Sequence, residues 1–417
     1  ISNFTVMFDF ADIAMPMLTA STFGGLVGKA TGSIELTSCS INEERCELLY
    51  IFGNNYFGLV VGELSENGKL TLDTSLKISS TYCGVNSLGF GGIVGSMDNK
   101  NCGIYVTGSL ETFAPVLASQ SIAAESATNG TGGLIGRYVC SGNSNEGETE
   151  DVIKGGEIQF GSKPGNIVIG GTTNVGGAIG YADAIVTIKQ GTWDMLTAGT
   201  KFATLKTILG ASATNWGGLI GKAGSNLILK DAKNANPIEF GEIDVDGWTS
   251  TSITIKNIGG IVGYTDGLVE NCQNKADITL NNANRSIINE TMYEQTYNVG
   301  LKNGAQKTTL MSQPMNVGGI AGKVAGNGRI VNCENSNKIQ GYQNVGGIAG
   351  YNMGAILGNI DAVEFDQNGN IATEIAEDEI IYKLAAGENG YVYSEVKKGE
   401  VQDAENTSYY IKNAENR

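Results

Sequence analysis

The chain has 417 residues, 60 of them glycine, with a formal net charge of −16 and a sequence pI near 4.5. That balance argues against nucleic acid and anionic membranes, because phosphate recognition needs a basic stripe and the arginines, at 45, 137, 285, 329 and 417, are scattered. Histidine is absent, which removes Ser-His-Asp and Cys-His catalysis, HExxH zinc centres and most transition-metal sites.

At the start, Phe4, Val6, Phe8 and Phe10 alternate with other residues, which predicts an N-terminal cap strand within residues 1–20. From residue 21 a five-position glycine frame recurs nine times. Its copies are Gly24 to Gly28, Gly58 to Gly62, Gly91 to Gly95, Gly132 to Gly136, Gly176 to Gly180, Gly217 to Gly221, Gly259 to Gly263, Gly318 to Gly322 and Gly346 to Gly350. Successive copies begin 34, 33, 41, 44, 41, 42, 59 and 28 residues apart. Self-similarity of this kind predicts a stack of coils.

Between frames the segments are short, rich in Val, Ile and Leu, and broken by Gly and Asn, so they read as strands. The shortest unit, Gly318 to Gly346, suggests three strands per coil. Ile34 and Leu36 flank Glu35, Leu70 and Leu72 flank Thr71, and Ile104 and Val106 flank Tyr105; this period of two sends one set inward. The third and fourth frame positions are both apolar in every copy, from Leu26/Val27 to Ile348/Ala349. Consecutive apolar residues predict a strand covered on both faces, with the glycines letting a covering layer approach closely. The expected fold is all-β, a parallel β-solenoid (β-helix) of about nine glycine-rich repeats over residues 21–360, with loop insertions and end caps.

The widest interval holds residues 281–313, with Met292, Tyr293, Tyr297 and Met311, which read as a flap over the glycine strands or a binding loop. Residues 110–131 and 192–214 suggest further flaps or short helices. Cys39, Cys272 and Cys333 fall at nearly the same offset after their frames and predict an interior column of small side chains, and the lack of a CxxC pair argues against zinc. Asp183, Glu242, Asp244 and Asp246 could be drawn into carboxylate-pair chemistry but read as solvated strand or turn residues. From Asp361 the frame stops, and residues 361–417 carry half of the net negative charge. This stretch reads as an acidic C-terminal cap or the start of another domain. No run approaches the length of a membrane-spanning helix.

Val317 to Gly322 followed by Gly328-Arg329-Ile330-Val331-Asn332-Cys333 resembles the GLUG-type repeat of large bacterial surface proteins. Ile258 to Gly263 followed by Gly267 to Cys272, and Phe23 to Gly28 followed by Gly32 to Leu36, are similar to it as well. The resemblance implies a filamentous-haemagglutinin-like adhesin, or a surface protein whose repeats flank a separate catalytic domain, and in either case a β-solenoid stalk or display module.

The resulting expectation is a non-enzymatic structural or adhesive module, extracellular or at the cell surface. Its partners would be other surface proteins, glycans or copies of itself, with no nucleic acid and no direct membrane insertion. No catalytic, cofactor-binding or metal residues are assigned. The alternatives are a subunit of an extracellular filament and a solenoid polysaccharide lyase or hydrolase. A groove lined by paired carboxylates, or by Lys and Arg beside aromatics, would mark the enzyme.

Overall fold

The computed structural model describes side chains in residues 20–37, 55–72, 87–98, 102–104, 126–139, 172–184, 213–235, 237–238, 255–279, 315–358 and parts of 360–411, and backbone strands in several segments between them. The chain winds as a parallel β-solenoid. Each of the nine frames contributes one strand to each of two long sheets that meet at a corner. The approach sheet takes the strands that end at the first glycine, such as Tyr56–Gly58, Ala213–Gly217 and Gln343–Gly346. The departure sheet takes those that begin at the fourth position, such as Val61–Leu64, Ile220–Ala223 and Ala349–Asn352. All nine departure strands pair in parallel and in register, and the approach sheet gains a tenth, antiparallel strand from Glu242–Asp246.

After each departure strand the chain turns into a flank sheet. It is four-stranded from Ser33–Leu36 to Ile153–Lys154 and five-stranded from Thr187–Lys189 to Ala355–Leu357. Two further five-stranded sheets complete the first coils, so these have five short strands each where the sequence suggested three. Later coils close with pieces as brief as Gln273–Asn274 and Glu334–Asn335. A two-residue strand leaves no alternation to detect, which is why such pieces read as polar turns. Residues 110–131 likewise contain a strand, Val116–Ser119, paired on both sides. Residues 192–212 and 281–306 lie outside the described residues. The end of that wide interval continues the approach strand, Lys307–Gly318.

The paired aliphatics mark a corner, not a strand covered on two faces. The chain bends at the second and third positions, and both the third and fourth side chains, for example Val60 and Val61 or Ile261 and Val262, enter the same core. The bend has a repeating hydrogen-bond pattern. The third-position carbonyl of each coil accepts the N–H groups of the third and fourth residues of the coil before it: Ile93 O takes Val60 N at 3.1 Å and Val61 N at 3.0 Å, and Ile320 O takes Ile261 N at 3.0 Å and Val262 N at 2.9 Å. Glycine is required because backbone, not a covering layer, occupies the space. A Cβ on Gly259 would overlap the Val262 carbonyl oxygen of its own corner and lie 2.7 Å from Ile320 O of the next coil.

The fifth glycine drops out of the departure-sheet pairing: Val61 opposes Val94, and the next paired residues are Glu63 and Ser96. This bulge shifts the alternation by one, so the fourth and seventh residues (Val61 and Leu64, Ile135 and Tyr138) both face the core. The core runs without a break from Leu36 to Ile330 and includes Trp216 and an edge-on Phe57/Phe90 pair with centroids 6.3 Å apart. As the alternation suggested, Leu70 and Leu72 are buried in it.

Cys272 sits above Cys333 in an interior column with Ala232, and Cys39 lies outside the described residues. Cys102, Cys272 and Cys333 are free thiols. Cys272 donates to Glu270 O at 3.2 Å, and burial, reinforced by its contact with Cys333, pushes its thiol well above the usual range.

The tail forms an antiparallel sheet of Ile360–Ala362, Thr407–Lys412, Ile381–Gly387 and Gly390–Val396 around Val363, Ile375, Ile381, Tyr409 and Ile411. Its strand Thr407–Lys412 packs against the flank sheet. Tyr410 packs on Leu268 and Val331 of the flank sheet and donates to Glu270 Oε1 at 2.6 Å. Lys230 Nζ holds the other carboxylate oxygen at 2.7 Å.

Two tests follow from this packing. Gly259→Ala should cost about 3 kcal/mol or prevent folding, since the colliding atoms are backbone, whereas Gly326→Ala, with open space around it, should stay within about 0.5 kcal/mol in urea melts. For the thiol column, the unfolded Cys272 ionises near pH 8.5 and the native one higher, so the unfolded chain holds fewer protons in that window. Stability contributed by the neutral native thiol is therefore lost as pH rises above about 8.5, and the urea midpoint of Cys272→Ala should fall less between pH 8 and 10 than that of the parent chain.

Candidate functional site

The bulge at the fifth glycine decides what the departure sheet shows to solvent. With the fourth and seventh residues turned inward, the sixth faces out, and pairing stacks the sixth residues of all nine coils in one column: Lys29, Glu63, Ser96, Arg137, Tyr181, Lys222, Tyr264, Lys323 and Tyr351. From the fourth coil onward cations and rings alternate. Arg137 lies 6.0 Å from the Tyr181 centroid, Lys222 lies 5.6 Å from Tyr181 and 5.3 Å from Tyr264, and Lys323 lies 5.6 Å from Tyr264 and 5.8 Å from Tyr351. Each ring face attracts the cation through its quadrupole, worth about 0.5 to 2 kcal/mol per contact according to how far water is excluded.

The middle of the column is sheltered and its ends are open. Tyr181 and Lys222 are 5% and 9% exposed, beneath a segment whose Ala127 carbonyl accepts Lys222 Nζ at 3.1 Å and whose Thr128 carbonyl accepts Arg137 Nε at 3.1 Å. Burial, and then the neighbouring Asp183 carboxylate, push the Tyr181 phenol above its ordinary value. At the last coil Tyr351 is 46% exposed, beside exposed Tyr342, Val345 and Met353. Lys29 opens the first coil, paired with Glu63 at 2.8 Å, and that contact raises its own pKa.

Behind this face runs an amide ladder. Asn174, Asn215, Asn257, Asn316 and Asn344 each stand two residues before a first glycine, with left-handed backbones of φ 50°, 58°, 61°, 55° and 54°. Each later Nδ2 donates to the preceding Oδ1 at 2.8 Å, and Asn174 closes the series on the carbonyls of Ala127 and Asn129. These asparagines drop out of the approach-sheet pairing, as the fifth glycines do from the departure sheet, and the two bulges nest: a Cβ on Gly263 would strike the backbone of Asn215 and Trp216. A second, shorter ladder joins Asn234, Asn274 and Asn335, and its side chains fill the space over Gly218, Gly260 and Gly319.

The acids considered from the sequence are not gathered here. Asp183 accepts Tyr181 Oη at 3.3 Å and Asn226 N at 3.1 Å, which makes it a turn acceptor. Glu242–Asp246 lies in the antiparallel strand of the approach sheet, and its side chains lie outside the described residues. A depression on the tail is lined by Glu377, Glu379, Glu395 and Glu400 with Lys397, Ile380 and Val396. Neither the column nor the ladders were anticipated, although both have a positional signal: the residue after the fifth glycine, and the asparagine two before the first. Arg137, one of the arginines that look isolated along the chain, stands in a column with Lys222 and Lys323.

The ladder's contribution can be separated from its backbone strain. Asn257→Ala forfeits two buried amide bonds and also forces alanine into a left-handed backbone, so a loss of about 3 kcal/mol is expected. Asn257→Gly relieves the backbone cost and should recover about 1 kcal/mol of that in chemical denaturation.

No curated protein and no solved structure matches the chain. Residues 313–340 match the profile of the GLUG motif family, a stretch that spans the approach strand, frame, flank strand and Asn-Cys element of the eighth coil. Since the same corner recurs in register through the other eight coils, the chain is a GLUG-repeat protein.

Proposed function

We propose that this chain is a non-enzymatic structural and adhesive β-solenoid that works outside the cell or at its surface. One observation carries the reading: the groups that could do chemistry are used to tie coil to coil. Arg137, Lys222 and Lys323 stack on tyrosines of adjacent coils, and the buried asparagines bond to one another. Lys and Arg beside aromatics are one of the two groove linings that would mark a polysaccharide-acting enzyme, but here they stack along one sheet from coil to coil, and Asp183 beside them is engaged in a turn. A linear array of rings and cations suits repeated weak contacts with glycans or partner surface proteins. The GLUG resemblance supports the extracellular setting.

The test pairs binding with turnover. Incubation with neutral and acidic polysaccharides should release no reducing ends. Retention on a glycan array should fall severalfold when Lys323→Met and Tyr351→Ala are combined, with unchanged melting. Polysaccharide cleavage, or retention indifferent to that double variant, would replace this reading.

A further inference from the structure

Two thiols are stacked beside the seat of the tail. Leu268–Glu270 pairs in register with Arg329–Val331, Gln273–Asn274 pairs with Glu334–Asn335, and partners in both pairings are 61 residues apart. Cys272 and Cys333 fall between the two pairings at that same offset, so one stands directly over the other in the seventh and eighth coils. The Cys272 N–H donates to Cys333 Sγ at 3.4 Å, and the two side chains touch. Stacked positions in parallel strands lie about 4.8 Å apart, inside the Cα separation of roughly 4.4 to 6.8 Å that a disulfide spans. Both S–H groups are spent on backbone carbonyls: Cys272 donates to Glu270 O at 3.2 Å and Cys333 to Val331 O at 3.3 Å, weak bonds that cost little to give up. Among the described residues no third cysteine or carboxylate joins the pair, which leaves it short of a metal site. Access differs between the two. Cys272 is fully buried and that burial disfavours its thiolate, whereas Cys333 is only partly buried.

We infer that Cys272 and Cys333 form a redox modification site, joined by a disulfide that staples the seventh coil to the eighth when the chain meets a small-molecule disulfide such as oxidised glutathione. The Cys333 thiolate attacks one sulfur of the reagent, whose S–S bond breaks and releases one thiol. The Cys272 sulfur, giving its proton to solvent, then attacks Cys333 Sγ and expels the second thiol. Two protein S–H bonds are lost and one S–S bond forms, while the reagent takes up two electrons and two protons. Cys333 reacts first because the reagent can reach it. The position gives the bond its consequence. It closes a loop that holds residues 281–306 and the long approach strand Lys307–Gly318, and a cross-link over a long loop restricts the unfolded chain more than one over a short loop. It also ties together the two coils that carry the tail, since Tyr410 donates to Glu270 Oε1 at 2.6 Å and packs on Val331, each two residues before a cysteine.

The inference goes beyond the adhesive reading and does not rest on it, because the chemistry is indifferent to what the column of cations and rings binds. The experiment incubates the reduced, folded 417-residue chain with oxidised glutathione, blocks the remaining thiols with N-ethylmaleimide, and maps the peptides by mass spectrometry. A peptide pair linked through Cys272 and Cys333 should appear and vanish on reduction, and the urea midpoint should rise with the link and return when it is reduced. Cys272→Ala should trap one glutathione on Cys333, and Cys333→Ala should leave Cys272 unmodified. Neither variant should gain in midpoint. Alanine fits the column, since Ala232 holds the same place one coil earlier. Recovery of Cys272 and Cys333 as two blocked thiols, a link from either to another cysteine, a linked pair with an unchanged midpoint, or glutathione on Cys272 in the Cys333→Ala chain would each overturn the inference.

Discussion

One carbonyl oxygen per coil governs this molecule. At each corner the third-position C=O receives two N–H groups from the coil before it, and this can happen only where the chain turns sharply with nothing but backbone in the bend. Both aliphatics of the frame are driven into the core by that turn, and glycine is confined to the flanking positions by the atoms that crowd them. The hydrophobic core supplies the driving force, as in any domain, but the corner dictates which residues can join it and in what order.

The two bulges follow from the corner as well. Asparagine in the approach strand and glycine in the departure strand leave their ladders at neighbouring points, and each makes room for the other. Asparagine suits its place twice over: it tolerates the left-handed backbone, and its amide carries one donor group and one acceptor, enough to bond above and below. The column of cations and rings is a by-product of the same shift, since the sixth residue points away from the core only because the fifth is unpaired. A local backbone irregularity thus sets the chemistry of a whole face.

Much of the architecture is legible along the chain. The frames, their number and the alternation at Leu70 and Leu72 point to a parallel stack, and Cys272 above Cys333 is visible as a constant offset. The failures share a cause. Val60 and Val61 look like a strand with two buried faces because periodicity cannot tell a strand from a bend that turns neighbours the same way. Arg137, Tyr181 and Lys222 look unrelated because they are about forty residues apart in sequence. Only the register, which depends on the variable lengths of the intervening segments, puts them side by side. Asn257 resembles a turn residue in a chain full of asparagine, and its partners are a full coil away.

The flank sheet changes hands partway along. Ile153–Lys154 ends its first run and Thr187–Lys189 starts the second, with no pairing between them among the described residues, while the approach and departure sheets pass through this level unbroken. The amide ladder begins at the same level, with Asn174, and continues only toward the C-terminus. The rod is consequently a composite: a section held at its corner by apolar and aromatic packing is spliced to one riveted by polar side chains. Among the described residues only the approach and departure sheets carry backbone pairing across the splice, so these two sheets alone hold the sections in register there.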